Sequence, residues 1–189
     1  MTTCWWMIRH AEVVGAKGRI TGQSDLDADV RGLSPHPRLP TSPKAVVVST
    51  LRRTGQTAIA LGYRPSHTEP DLAEQNFGGW QGKSWDEITG PEGRAFWTDF
   101  AGAVPPGGES FTQQILRVAP SLDRLSDEIG DGDILAVLHG GTIRAALAHA
   151  LELDPTKVSA FVIDNLSLTR LDRTSHGWRI GCVNERLWP

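Results

Sequence analysis

The sequence predicts a three-layer α/β/α sandwich: a mostly parallel central sheet with an antiparallel strand at its C-terminal edge. Three observations carry that expectation. Short apolar runs at residues 3–8, 44–49 and 134–138 stop abruptly in polar residues, as buried strands do. Two of them lead into segments with apolar residues at helical spacing, the strand–helix alternation that builds parallel sheets. Two further runs, 161–172 and 178–183, flank Thr174-Ser175-His176-Gly177 and read as a hairpin closing the sheet. A chain of 189 residues fits one domain, 1–189, and it shows no internal repeat, low-complexity tract or linker.

Composition narrows the function. With 39% hydrophobic and 22% charged residues the chain is globular rather than disordered. A net charge of −3 and a pI near 6.1 argue against a polyanion-binding surface, so no nucleic-acid partner is expected. No apolar run approaches the ~18 residues of a membrane span, and no basic region with a long apolar stretch opens the chain. The expectation is a cytoplasmic protein with no membrane partner. Cys4 and Cys182, each inside an expected strand, are read as buried, reduced thiols.

The first strand, Thr3-Cys4-Trp5-Trp6-Met7-Ile8, runs straight into Arg9-His10. Open α/β sheets place their ligands at the carboxyl ends of strands, so this pair points to phosphate binding and attack. Residues 13–43 hold Gly15, Gly18, Gly22, Gly32, Pro35, Pro37, Pro40 and Pro43, which forbid a long helix. In that loop Arg19 and Gln23 are candidates to reach back over the site, against the plainer reading of a solvated loop. The β-branched run 44–49 is the clearest strand, and Ser49 or Thr50 is expected to cap a helix reaching about Leu61. Arg53, in its first turn, opposes the helix dipole and calls for a compensating anion.

Residues 66–72 form a weaker strand, with Glu74 just past its carboxyl end. Residues 84–100 read as short helices whose Trp85, Ile88, Phe96 and Trp97 either wall a pocket or pack against the sheet. The Pro105-Pro106-Gly107-Gly108-Glu109 turn comes next, with a candidate role for Glu109. Ser110 and Gln113 then make a capping box for an amphipathic segment in which Pro120 predicts a kink or two consecutive helices. The strand at 134–138 ends in His139-Gly140-Gly141-Thr142 before another amphipathic helix. Glycines between strand and helix let backbone amides approach an anion.

Arg9, His10, Arg53, Glu74 and His139 thus fall at strand ends that a parallel sheet gathers along one edge. The set suits phosphomonoester hydrolysis. Arginine forks and a histidine hold the non-bridging oxygens, and a neutral imidazole with its other nitrogen fixed attacks phosphorus. A carboxyl protonates the leaving alkoxide and then, as carboxylate, activates water. Two arginines and a histidine supply the positive charge, so neither metal nor cofactor is required.

The same residues resemble the histidine phosphatase (phosphoglycerate mutase-like) superfamily over nearly the whole chain. Its Arg-His-Gly-Glu signature appears as Arg9-His10-Ala11-Glu12, and residues 49–58 look like its second motif, with Arg53 rather than Arg52 at the phosphate-binding position. Leu72-Ala73-Glu74 with Phe77-Gly78-Gly79-Trp80-Gln81-Gly82 is similar to the segment bearing the general acid, and Pro106-Gly107-Gly108-Glu109-Ser110 and His139-Gly140-Gly141 also fit. The resemblance implies His10 as the phosphorylated nucleophile, Glu74 as proton donor, and Arg9, Arg53, His139 and Gly140 around the phosphoryl group. A small phosphorylated metabolite is the implied partner.

Residues 18–25 look like the loop of α-ribazole phosphatase-type members, and the compact loops are similar to phosphatases rather than mutases, which carry longer shielding insertions. Phosphoglycerate mutase-type transfer is the alternative, and a non-catalytic phospho-ligand-binding protein the more distant one. Ala11 and Val13 depart from the usual glycine and threonine. The helix that usually follows the first loop gives way to the proline-rich residues 34–43, which thins one layer and makes a second copy of the chain a candidate partner.

Overall fold

The three clearest apolar runs become adjacent inner strands of one six-stranded sheet. In the computed structural model, which describes residues 2–188, β1 spans Thr2–Arg9, β2 Ala45–Val48, β3 His67–Thr68, β4 Gly132–Leu138, β5 Ser167–Thr174 and β6 Gly177–Arg186. The two end positions of the 1–189 domain lie outside the described residues. The strand order is β3-β2-β4-β1-β5-β6. Strands β1 to β4 pair in parallel, and β5 runs against β1. Edge strand β6 pairs antiparallel to β5, so the one reversed strand is β5.

Alternating side chains divide the core between the two sheet faces. Trp5, Met7, Val47, Ile134, Ala136 and Leu138 meet α3 (Phe111–Ile129) and α4 (Gly140–Ala150). Ile8, Val46, Val48, Leu135 and Val137 pack with Ala58 and Leu61, from α1 (Arg52–Ala60) and the residue that ends it. Leu33 and Leu39 of the proline-rich segment, with Trp188, complete that second layer, which one helix alone would leave thin. Helix α2 (Gly90–Thr98) packs Phe96 with Ile20, Trp80 and Ile88 in a separate small cluster. Among the described residues no helix is long and apolar enough to cross a membrane.

Several expectations are corrected. Strand β3 keeps only two residues and turns at Pro70–Leu72 into a 3₁₀ helix, because Pro65 and Pro70, which bracket it, lack the N–H a ladder needs. Helix α1 starts at Arg52 with Leu51 at its N-cap and no side-chain cap. Helix α3 runs unbroken through Pro120, which lies on the solvent side, so the carbonyl freed by its missing N–H faces water. Residues 161–166 are not strand: a 3₁₀ helix (Pro155–Ala160) leads into a turn at Asn165-Leu166, and β5 begins at Ser167. Cys4 and Cys182 are free and half-buried rather than buried, on strands separated by β5.

Candidate active site

The parallel register aligns Arg9 with Leu138 and Val48 with Val137, so the residues that follow emerge at one edge. His10 continues the ladder, its N–H donating to the Leu138 carbonyl at 2.9 Å, and its side chain is 4% exposed. Its Nδ1 lies 2.7 Å from the Ala11 carbonyl oxygen, which only accepts, so Nδ1 carries the proton. That leaves the Nε2 lone pair to face Arg53, whose Nε donates to it at 3.2 Å. Burial, then the guanidiniums of Arg53 and Arg9, lower the His10 pKa from 6.5 to about 3. The ring is therefore a neutral base with an oriented lone pair, the form a nucleophile requires.

Arg53 is fully buried, its other donors held by the carbonyls of Ser24 at 2.8 Å and Gly22 at 2.6 Å. The first loop is thus packed over the site rather than solvated there. Gly22 has φ +47, and a Cβ on it would sit 2.5 Å from the Gln81 side chain, so glycine is required. His139 is also fully buried, with its ring centroid 5.1 Å from that of His10. Its Nε2 lies 2.7 Å from Ser49 Oγ, while Nδ1 is buried without a partner. Burial, then His10 and Arg53, hold its pKa well below the usual histidine value. The hydroxyl expected to cap α1 serves His139, and it also accepts from the Leu51 amide at 3.2 Å.

Arg9 donates from Nη1 to the Ile163 carbonyl at 2.6 Å, and its buried Nε has no partner. Asn165 donates to the His10 carbonyl at 2.7 Å, and Leu166, held at φ +61, donates to the Arg9 carbonyl at 2.9 Å. The segment expected as strand therefore clamps the end of β1.

Glu74 faces this group from the start of α4. Its Oε2 accepts from the Gly141 amide at 3.1 Å, and Oε1 accepts from the Gln75 amide at 2.9 Å and Gln114 Nε2 at 3.2 Å. Any side chain at Gly141 would strike the carboxylate. Arg117 holds the Glu74 segment from behind, donating to the carbonyls of Asp71, Ala73 and Glu74 and to both Glu109 carboxylate oxygens. Glu109 in turn accepts from the Asn76 amide at 2.8 Å, which gives this residue a positioning role.

Gln23 reaches back as expected, donating to the Glu74 carbonyl at 2.9 Å. Arg19 does not join the buried group: it is exposed, donates to the Gly82 carbonyl at 2.7 Å, and rims the opening. That opening is a cleft of about 690 Å³, lined by Arg9, Glu74, Gly140 and Arg144 on one side and by Trp85 and Trp97 on another. The aromatics serve both roles: Phe96, 2% exposed, is core and also backs the cleft, while Trp97, 59% exposed, stands at the cleft wall.

Sequence reasoning missed Arg144, Arg117, Gln114, Asn165 and the Ser49–His139 contact. The available signal for Arg144 was one arginine in the run Thr142-Ile143-Arg144-Ala145-Ala146-Leu147. The others carry none, because their partners lie dozens of residues away.

A profile of the histidine phosphatase superfamily (branch 1) matches residues 5–186. The chain is 32% identical over 154 residues to a metal-independent phosphoserine phosphatase of Arabidopsis thaliana, covering 74% of this chain and 65% of that protein. It is 32% identical to a glucosyl-3-phosphoglycerate phosphatase of Mycolicibacterium vanbaalenii, covering 78% of this chain and 73% of that protein. In three dimensions it resembles an Escherichia coli structure described as a putative α-ribazole-5′-P phosphatase, with a TM-score of 0.85 and 23% identity over 99% of this chain and 98% of that one, a likeness of fold.

Proposed function

The chain belongs to the histidine phosphatase superfamily, and from that premise we propose that it is a phosphomonoesterase working through a phosphohistidine on His10. The observation that supports this most is the pairing of His10 Nε2 with Arg53 Nε at 3.2 Å while Nδ1 is tied to the Ala11 carbonyl. A phosphoryl oxygen that replaces the imidazole as partner of Arg53 brings phosphorus to the freed lone pair.

In the first half-reaction Nε2 forms the N–P bond as the bond from phosphorus to the ester oxygen breaks. The Glu74 carboxyl passes its proton to the departing alkoxide. Arg9, Arg53 and His139 surround the charge that gathers on the non-bridging oxygens. In the second half-reaction water attacks phosphorus and gives its proton to the Glu74 carboxylate. The N–P bond breaks, which returns neutral His10 and inorganic phosphate.

The supporting experiment is acid quenching after mixing with a ³²P-labelled phosphomonoester, which is expected to trap acid-labile, alkali-stable label on His10. His10→Ala should abolish both label and turnover, and Glu74→Ala should spare nitrophenyl phosphate, whose leaving group needs no proton. An active His10→Ala enzyme would refute the assignment. The open cleft and short loops favour release of phosphate to water over transfer. Isomerisation of 3-phosphoglycerate outpacing phosphate release would replace the hydrolase reading with a mutase.

A further inference from the structure

Arg9 and Arg144, both half-buried, line the cleft, and Arg53 lies fully buried against His10. Among the described residues none of them forms an ion pair. The nearby carboxylates Asp25 and Asp164 are engaged with Arg52 and Arg186 instead. Glu74 is held by the amides of Gly141, at the start of α4, and of its neighbour Gln75. Uncompensated charge in a partly dry site is unfavourable and draws anions.

The count of charges can be followed through the reaction. A phosphomonoester dianion offsets Arg9 and Arg53, both histidines being neutral. When Glu74 carries the proton destined for the leaving group, Arg144 remains without a counter-charge.

The position of Arg144 states where that counter-charge belongs. Its Nε donates to the Phe161 carbonyl at 2.8 Å, as Arg9 Nη1 does to Ile163 at 2.6 Å, so one turn anchors both side chains. A Cβ built on Gly140 would lie 3.6 Å from the Arg9 guanidinium carbon and 3.7 Å from Arg144 Nη1. The two forks thus flank Gly140 on the same wall of the cleft, with Arg144 one turn further along α4 than Gly140. Burial is the main cause lowering the pKa of all three arginines, and the Glu74 carboxylate is the first cause opposing it in each, so all three feel that one carboxylate.

We infer that Arg144 is a specificity-determining residue that binds a second anionic group, a carboxylate a few bonds from the phosphoester. The preferred substrates are therefore phosphorylated hydroxy or amino acids rather than neutral sugar or polyol phosphates. This rests on the phosphomonoesterase reading and names the substrate class of that same site.

The test compares 3-phosphoglycerate with glycerol 3-phosphate, which differ in carrying a carboxylate or a hydroxymethyl group at the same position. In the unaltered protein kcat/KM should favour 3-phosphoglycerate by about tenfold to a hundredfold, the worth of one charge-assisted fork. Arg144→Met should collapse that ratio to about threefold or less, mainly through KM on the acid. Arg144→Lys, which keeps the charge and loses the fork, should fall between; it also answers the question if the methionine variant does not fold. Equal losses on both substrates, or no preference in the unaltered protein, overturn the inference. A binding arm in the His10→Ala background separates the two claims, because it needs no turnover. There 3-phosphoglycerate should bind at least about tenfold tighter than glycerol 3-phosphate, and adding Arg144→Met should erase the difference. Failure of nitrophenyl phosphate hydrolysis with this preference intact sinks the hydrolase reading alone; an absent preference sinks the subsite.

Discussion

Arg117→Met is expected to lower both stability and the rate with poor leaving groups. The side chain is 20% exposed and its Glu109 partner 18% exposed. Five hydrogen bonds are lost: two to Glu109, and three to the carbonyls of Asp71, Ala73 and Glu74. Removing one partner of a buried pair costs about 3–5 kcal/mol; residual solvent access to Glu109 and the carbonyls brings this to roughly 2–4 kcal/mol. For a chain of this size that is a Tm decrease of about 5–12 °C by calorimetry or thermal fluorescence.

The kinetic effect follows from what the arginine holds. Without it the backbone at Glu74 loses its anchor, and Glu74 drifts from the ester oxygen. A displaced general acid should slow alkyl phosphates about 10- to 100-fold. Nitrophenyl phosphate needs no protonation and should slow by less than about threefold. Glu109→Gln should produce a smaller version of both effects, and the double variant should fall short of the sum because the two residues act as one unit. An unchanged Tm, or equal slowing on both substrate types, would refute the argument that this pair positions the general acid.

Three further outcomes are expected. The unfolded chain binds a proton on His10 near pH 6.5 and the folded chain only near pH 3, so stability is lost as pH falls through that window. His10 alone should remove about 2 kcal/mol between pH 7.5 and pH 5, with His139 acting in the same direction; thermal melts of His10→Asn should show a flatter pH dependence, and identical slopes would contradict the assignment. Ser49→Ala strips His139 Nε2 of its partner and should lower stability by about 1–2 kcal/mol and kcat roughly tenfold, as read from urea melts and steady-state kinetics. Pro120→Ala restores an N–H within α3 and should raise stability by about 1–2 kcal/mol, and a lower denaturation midpoint would show that the proline is favourable there.

The chain's periodicities determined the layers, and the strand ends together with the family resemblance pointed to the candidate site residues. Apolar runs buried on both faces mark parallel strands, and in a parallel sheet the strand ends must share an edge. Arg9, His10 and His139 were therefore placed by local pattern, and Arg53 by its conflict with the helix dipole. Glu74 was legible because it follows a strand-like segment, although that strand shrinks to two residues between prolines. What tertiary structure alone decided concerns long-range partners. Which carbonyls accept from Arg53, which hydroxyl serves His139, and that Arg117 grips the Glu74 segment all depend on residues 20 to 90 positions apart. The turn at 161–166 is the clearest case. Its apolar composition reads as strand, yet its carbonyls anchor Arg9 and Arg144, because two half-buried guanidiniums need acceptors and a strand's carbonyls are committed to its ladder.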